Sequence, residues 1–182
     1  MKIFIAGARS LTVLNNEVKT RLHSIYENNY EILVGDCYGV DSAVQEYYRS
    51  LNYGRVTVYA SNGIARNNLG KWAVQNVRVD GNVRGFDFYK QKDIAMANSA
   101  DYGFMIWDGE SRGTLNNIIN LLQQRKKVLT YISQYDKMIV LNSFESLDKL
   151  LLLCSTDTQA TYRKLRKDDK KTFEEIHQIS LL

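Results

Sequence analysis

The sequence predicts an α/β domain: a parallel sheet with helices packed on both faces. Short, apolar, β-branched segments alternate along the chain with longer amphipathic ones. The apolar segments, among them KIFIA, EILV and FMIW, show little polar alternation, as strands covered on both faces do. The chain has 182 residues and 45% hydrophobic content, which suits a single domain with a real core.

In chain order, residues 2–6 form the first strand and Gly7-Ala8-Arg9-Ser10 its turn. A helix follows from Asn15, with Leu14, Val18, Leu22, Ile25 and Tyr26 on one face, and Asn28-Asn29 ends it. Residues 31–34 are the second strand, and Gly35 to Asp41 form its loop. Asp41 is placed to accept free amides as an N-cap of the next helix, whose inner face is Val44, Tyr47, Tyr48 and Leu51. Val56 to Ala60 is the third strand.

Ser61 to Phe88 is polar and rich in Arg and Asn, with a short strand expected near Val74 to Val79. A connection of this length in one domain is functional or partly structured. Phe88 to Ser99 reads as a helix with Ile94, Met96 and Ala97 inward. Tyr102 to Leu122 then gives a buried strand, a glycine-bearing turn and a helix with Leu115, Ile118, Ile119 and Leu122 on one face. Lys127 to Ile132 and Met138 to Leu141 are further strands, and Ser143 to Leu153 is a helix with Leu147, Leu150 and Leu151 inward. The domain is expected to span 1–157. Residues 158–182 form a charged helical tail whose apolar set, Phe173, Ile176 and Ile179, needs cover from the surface or from a second subunit of a homo-oligomer.

The candidate site follows from this layout. Ligands of parallel sheets bind at the carboxyl ends of the strands, where strand order reverses. Three polar, glycine-containing loops leave such ends, at 7–10, 35–41 and 108–114, and they converge if the first strand neighbours the strand at 104–107. The turn 108–114 opens a helix, whose free amides and positive dipole end attract an anion, most often phosphate. Ser111, Gly113 and Thr114 are the leading phosphate contacts, with helix capping as the competing role. Gly109 and Arg112 share that turn, and Asn117 lies one helical turn further on. Gly7, Arg9 and Ser10 come from the first loop, with Arg9 placed to pair with phosphate. The second loop brings Gly35, Asp36, Gly39 and Asp41. Asp36 is a candidate for holding ribose hydroxyls, for acting as a base, or for stabilising the turn, while Asp41 fits a cap better than a catalyst. Trp107 is either a stacking surface for a base or part of the core. Cys37 beside the site has no predicted histidine partner and reads as a lining thiol.

Composition limits the function classes. There are two histidines and two cysteines, with no HxxxH or CxxC, so neither a metal site nor a cofactor is expected. The two cysteines fit reduced thiols in a cytoplasmic protein. No apolar run approaches a membrane span. The net charge of +4 is compatible with a nucleotide or nucleic-acid ligand.

These loops resemble one superfamily, the SLOG proteins, named for the Smf/DprA-like DNA-processing proteins and the cytokinin-activating LOG enzymes. AGARS resembles the G-x-R turn of its YspA and YpsA branches. VGDCYGVDSAV resembles the G-x-x-x-G-x-D segment of YspA and DprA-like members, and Arg66-Asn67-Asn68 resembles an Arg-Asn pair in YspA-like proteins. Lys92, Met96, Ala100-Asp101 and Gly113-Thr114 resemble the LOG pattern R-K-x-x-M, then A-D or S-D, then P-G-G-x-G-T-x-x-E. The resemblance covers roughly residues 1–132 and implies a Rossmann-like fold that binds nucleotides or their derivatives. This chain departs from the LOG pattern at four places. The arginine position is Lys92, the following lysine is Asp93, the glutamate position is Asn117, and Asp108-Gly109-Glu110 stands for P-G-G. The amide of Asn117 cannot take a proton as a carboxylate does. The expected function is therefore a binding module for a nucleotide-derived small molecule, such as an ADP-ribose derivative. An enzyme cleaving an N-glycosidic bond with Asp36 or Glu110 as carboxylate, assisted by Lys92, is the alternative. Single-stranded nucleic acid binding of the DprA kind is the weaker one.

Overall fold

The structure, a computed structural model, describes residues 1–179, with side chains described through Lys167. Its strands are β1 (Lys2–Gly7), β2 (Glu31–Val34), β3 (Val56–Ser61), β4 (Ala73–Val77), β5 (Tyr102–Trp107), β6 (Val128–Ile132) and β7 (Lys137–Leu141). Its helices are α1 (Asn16–Glu27), α2 (Val40–Ser50), α3 (Gly85–Ser99), α4 (Arg112–Gln123), α5 (Phe144–Leu151) and α6 (Thr156–Ile179). The sheet runs β4-β3-β2-β1-β5-β6-β7, with every pairing parallel except the β6–β7 hairpin. This is a Rossmann-like α/β domain.

The continuous apolar runs are explained by burial on both faces. Along β1, Ile3 and Ile5 face α1 and α2, whereas Phe4 and Ala6 join the opposite core with residues of α3, α4 and α6. In β5, Phe104 and Ile106 alternate in the same way with Met105 and Trp107. The pairing that matters for function is β1 with β5, in the register Ile5 to Phe104 and Gly7 to Ile106. The chain winds from β1 toward β2 and β3 on one side and resumes at β5 on the other. The strand order thus reverses between β1 and β5, and a crevice opens above their carboxyl ends.

Several expectations are corrected by the structure. Asp41 does not cap α2; Gly39 occupies that position with φ +81°, and Asp41 lies inside the first turn. Gly39 is required twice over, because a Cβ there would also meet Arg9 Cα at 2.5 Å. Between Ser61 and Phe88 the expected short strand forms as β4, exposed at the sheet edge, but α3 starts three residues before the expected Phe88. Within α3, Met96 and Ala97 are buried as expected, Ile94 is only half-buried, and Lys92 is buried instead. The start of the last helix packs on the core. Thr158 and Leu165 are buried, and Thr158 Oγ1 donates to the Gly109 carbonyl at 2.8 Å. Phe173, Ile176 and Ile179 lie outside the described side chains. Among the described residues, no helix is long and apolar enough to cross a membrane.

Candidate functional site

The three loops meet. Ser10 Oγ donates to Asp108 Oδ2 at 2.6 Å, joining the loop after β1 to the loop after β5. Asp108 Oδ1 accepts the amides of Glu110 (3.0 Å) and Ser111 (2.7 Å), which folds the turn into the start of α4. Between the loops lies an open cavity of about 490 Å³, within the range of small-molecule sites. The β1 loop contributes Gly7, Arg9 and Ser10 to its lining, and the β2 loop contributes Cys37 and Asp41. From the fourth helix and its turn come Asp108, Ser111, Arg112, Gly113, Thr114 and Asn117.

One wall was not foreseen. Phe86, Tyr89, Lys90 and Asp93 line the cavity from α3, at the spacing of one helical face, with Lys92 beside them. The Arg112 guanidinium lies over the Phe86 ring at 4.0 Å from its centroid. Arg66 and Arg9 approach the Tyr89 ring at 4.9 and 5.6 Å. The sequence signal for this wall was an i, i+3, i+4, i+7 pattern of mixed aromatic and charged residues. It does not stand out as either a core face or a polar face.

The start of α4 leaves two amides facing open space. Ser111 caps the helix through Thr114 N, and Thr114 Oγ1 also donates to Ser111 Oγ at 3.1 Å. The Ser111 carbonyl takes the Leu115 amide. Of the amides that a helix start leaves without internal partners, those of Arg112 and Gly113 remain. A Cβ at Gly113 would meet nothing within 4 Å, so the space beside these amides is open. Asn117, 4% exposed, lines the same cavity, and its Oδ1 has no hydrogen-bond partner. A buried amide oxygen left in this way is costly unless something binds to it.

Beneath the cavity lies a charge cluster. Asp36 is clamped by Arg66, which donates Nη2 to Oδ1 at 2.6 Å, Nε to Oδ2 at 3.0 Å and its backbone amide to Oδ2 at 3.1 Å. Asn67 Nδ2 and Gln45 Nε2 donate to the Asp36 and Gly35 carbonyls, fixing the Arg-Asn segment onto the end of β2. Lys92, 3% exposed, places Nζ 2.9 Å from Asp93 and 3.9 Å from Asp36. Gly35 makes room for this packing, since a Cβ there would lie 2.3 Å from Asp41 Oδ2 and 2.6 Å from Lys92 Nζ.

The carboxyls respond differently. Burial pushes Asp36 up, but the Arg66 hydrogen bonds and the Lys92 charge outweigh it and hold its carboxyl below the usual range. Burial dominates at Asp41, whose carboxyl is pushed up to about 6 despite Lys92 and the Cys37 amide donated to it. Burial would lower Lys92, yet the charges of Asp93 and Asp41 prevail and raise it. Burial also raises the Cys37 thiol, which accepts from Arg66 and Arg9 and is protonated at neutral pH.

A pH prediction follows. A carboxylate with a raised folded pKa stabilises the fold only while it is protonated. The Asp41 contribution is present below its unfolded value of 3.8 and is lost as pH rises through about 6. Wild type should therefore lose about 2 kcal/mol relative to Asp41→Asn between pH 4 and pH 7, read from denaturant midpoints across that range. A flat difference would show that Asp41 is ionised normally.

Several expected site residues lie elsewhere. Trp107 is fully buried and donates Nε1 to the Ser111 carbonyl, so its ring is core and its polar edge braces the turn. Glu110 is exposed and Gly109 faces Gln134 and α6; neither lines the cavity. Gly35, Asp36 and Gly39 support the floor and do not form the lining.

Neither the known protein-family models nor the curated proteins include a match to this chain. A solved structure does match: DNA processing protein A from Helicobacter pylori, described for its single-stranded DNA binding mode. It shares 16% identity at a TM-score of 0.59, over 92% of this chain and 81% of that one. The two share a fold. At this identity the likeness carries the architecture alone.

Proposed function

We propose that this protein binds a nucleotide-derived ligand in the crevice between β1 and β5, with a phosphate against the start of α4. The observation that carries this reading is the open space at Gly113 beside the free amides at the start of α4; the unpartnered Asn117 Oδ1, an acceptor, suits a hydroxyl or amino donor of the same ligand. Arg9, Lys90 and Arg112 add positive charge around the same opening. Asp41 and Asp93, lower in the cavity, suit hydroxyl or amino groups of the sugar and base. The motif resemblance to SLOG proteins supports the same ligand class. Titration calorimetry with nucleoside 5′-phosphates, ADP-ribose and the matching unphosphorylated nucleosides tests the proposal. Saturable binding that needs the phosphate supports it, and equal affinity for nucleosides contradicts it.

A second reading is single-stranded nucleic acid. The fold shared with the DNA-processing protein and the three arginines stacked on the Phe86 and Tyr89 rings favour it, because bases stack on such surfaces.

Catalysis by the LOG arrangement is not expected. Asn117 stands in the cavity where that chemistry uses a carboxylate, Asp36 is fully engaged by Arg66, and Glu110 points elsewhere. Incubation with a panel of nucleoside monophosphates should release no free base by chromatography. If base does appear, the carboxyl to test is Asp41, which lines the cavity; Asp41→Asn would then end the release while leaving binding intact.

A further inference from the structure

The cavity is not the end of the positive surface. Arg112 lines a second depression of about 330 Å³, whose other walls are Thr161, Lys164 and Lys167 on the outer face of α6. Among the described residues, no carboxylate contributes to that lining. The Arg112 side chain is held between the two depressions by its stacking on Phe86, so it borders both. The arrangement joins a helix-start anion site to a three-cation site through one shared guanidinium. A guanidinium offers donors along two edges and can serve two phosphates at once.

From this we infer a second phosphate subsite at Arg112, Thr161, Lys164 and Lys167, so that the ligand carries at least two phosphate groups. This rests on the reading that the first phosphate sits at α4. Two sources share the chemistry: a small molecule with linked phosphates, such as a dinucleoside diphosphate or ADP-ribose, and the backbone of a short single strand. The Thr161 hydroxyl and the two ammonium groups bind phosphate without reading a base, as either source requires.

The test uses the full chain and its Lys164→Gln/Lys167→Gln variant. Both lysines are exposed, so the variant keeps the fold, with thermal midpoint as the control. The probes are AMP, ADP-ribose and a 5′-phosphorylated deoxyadenosine tetranucleotide. At least one two-phosphate probe should bind wild type on the order of tenfold more tightly than AMP. The variant should lose that advantage and bind AMP as wild type does. Gain only with ADP-ribose identifies the small-molecule source, and gain only with the tetranucleotide identifies the strand. Equal affinity of all three probes for wild type overturns the second subsite while leaving the first intact. An advantage that persists in the variant does the same. Failure of AMP to bind, with a lysine-dependent affinity for the longer probes, overturns the α4 reading and keeps the subsite.

Discussion

Replacing Gly113 with aspartate should reduce nucleotide affinity on the order of a hundredfold while leaving the fold unchanged. Gly113 lies in the first turn of α4, and the position where its Cβ would stand meets no atom within 4 Å. An aspartate therefore enters without a clash. Its carboxylate would lie in the space assigned to the phosphate, beside the amides and Arg112 that attract it. Acidic side chains are welcome in a first helical turn, so stability should hold or rise slightly. Calorimetry on both proteins, with thermal midpoints as a control, separates the two effects. Undiminished affinity would move the phosphate away from α4. Gly113→Ala, lacking the charge, should lose far less.

Replacing Lys92 with methionine should cost about 3–5 kcal/mol of folding stability, a large fraction of what a domain of this kind possesses. The Lys92 ammonium is nearly inaccessible and is shared by Asp93 at 2.9 Å and Asp36 at 3.9 Å, with Asp41 packed nearby. Without it, three carboxyls occupy the floor with one partly exposed cation, Arg66, to offset them. The loss should be greatest at neutral pH and should shrink on acidification as Asp41 takes a proton. Urea unfolding at pH 7 and pH 5 reads both. Adding Asp41→Asn to the methionine variant should recover part of the stability. A small, pH-independent loss would mean that the cluster is better hydrated than its geometry indicates.

Much of the fold was legible because burial on both faces leaves an unmistakable mark on a strand. Phe4 and Ala6 serve one core while Ile3 and Ile5 serve the other, so no polar residue interrupts the run. The antiparallel turn-back of β7 was carried by the few residues between the strands expected at 127–132 and 138–141, too few for a parallel crossover, and not by the strand residues themselves. In α3 the sequence pattern assigned Ile94 to the interior. The buried position belongs to Lys92, because three acids from two elements gather around it. Only the tertiary arrangement brings those acids together. The loops at 7–10, 35–41 and 108–114 could be placed from strand order alone. The roles within them could not. Asp36 reads as a free carboxylate until Arg66, thirty residues away in the chain, is seen to close on it. Trp107 stays open as a stacking surface, although a strand-end Trp usually belongs to the core, until the core on its face of the sheet is seen to fill.

The central claim is that phosphate binds at the start of α4. The most direct measurement is the backbone amide spectrum of the isotopically labelled full chain during titration with inorganic phosphate and then with AMP. The account predicts saturable shifts that are largest at the Arg112 and Gly113 amides, accompanied by the Asn117 side-chain amide, at the same positions for both anions. Shifts centred on any other element, or none that saturate, would contradict it.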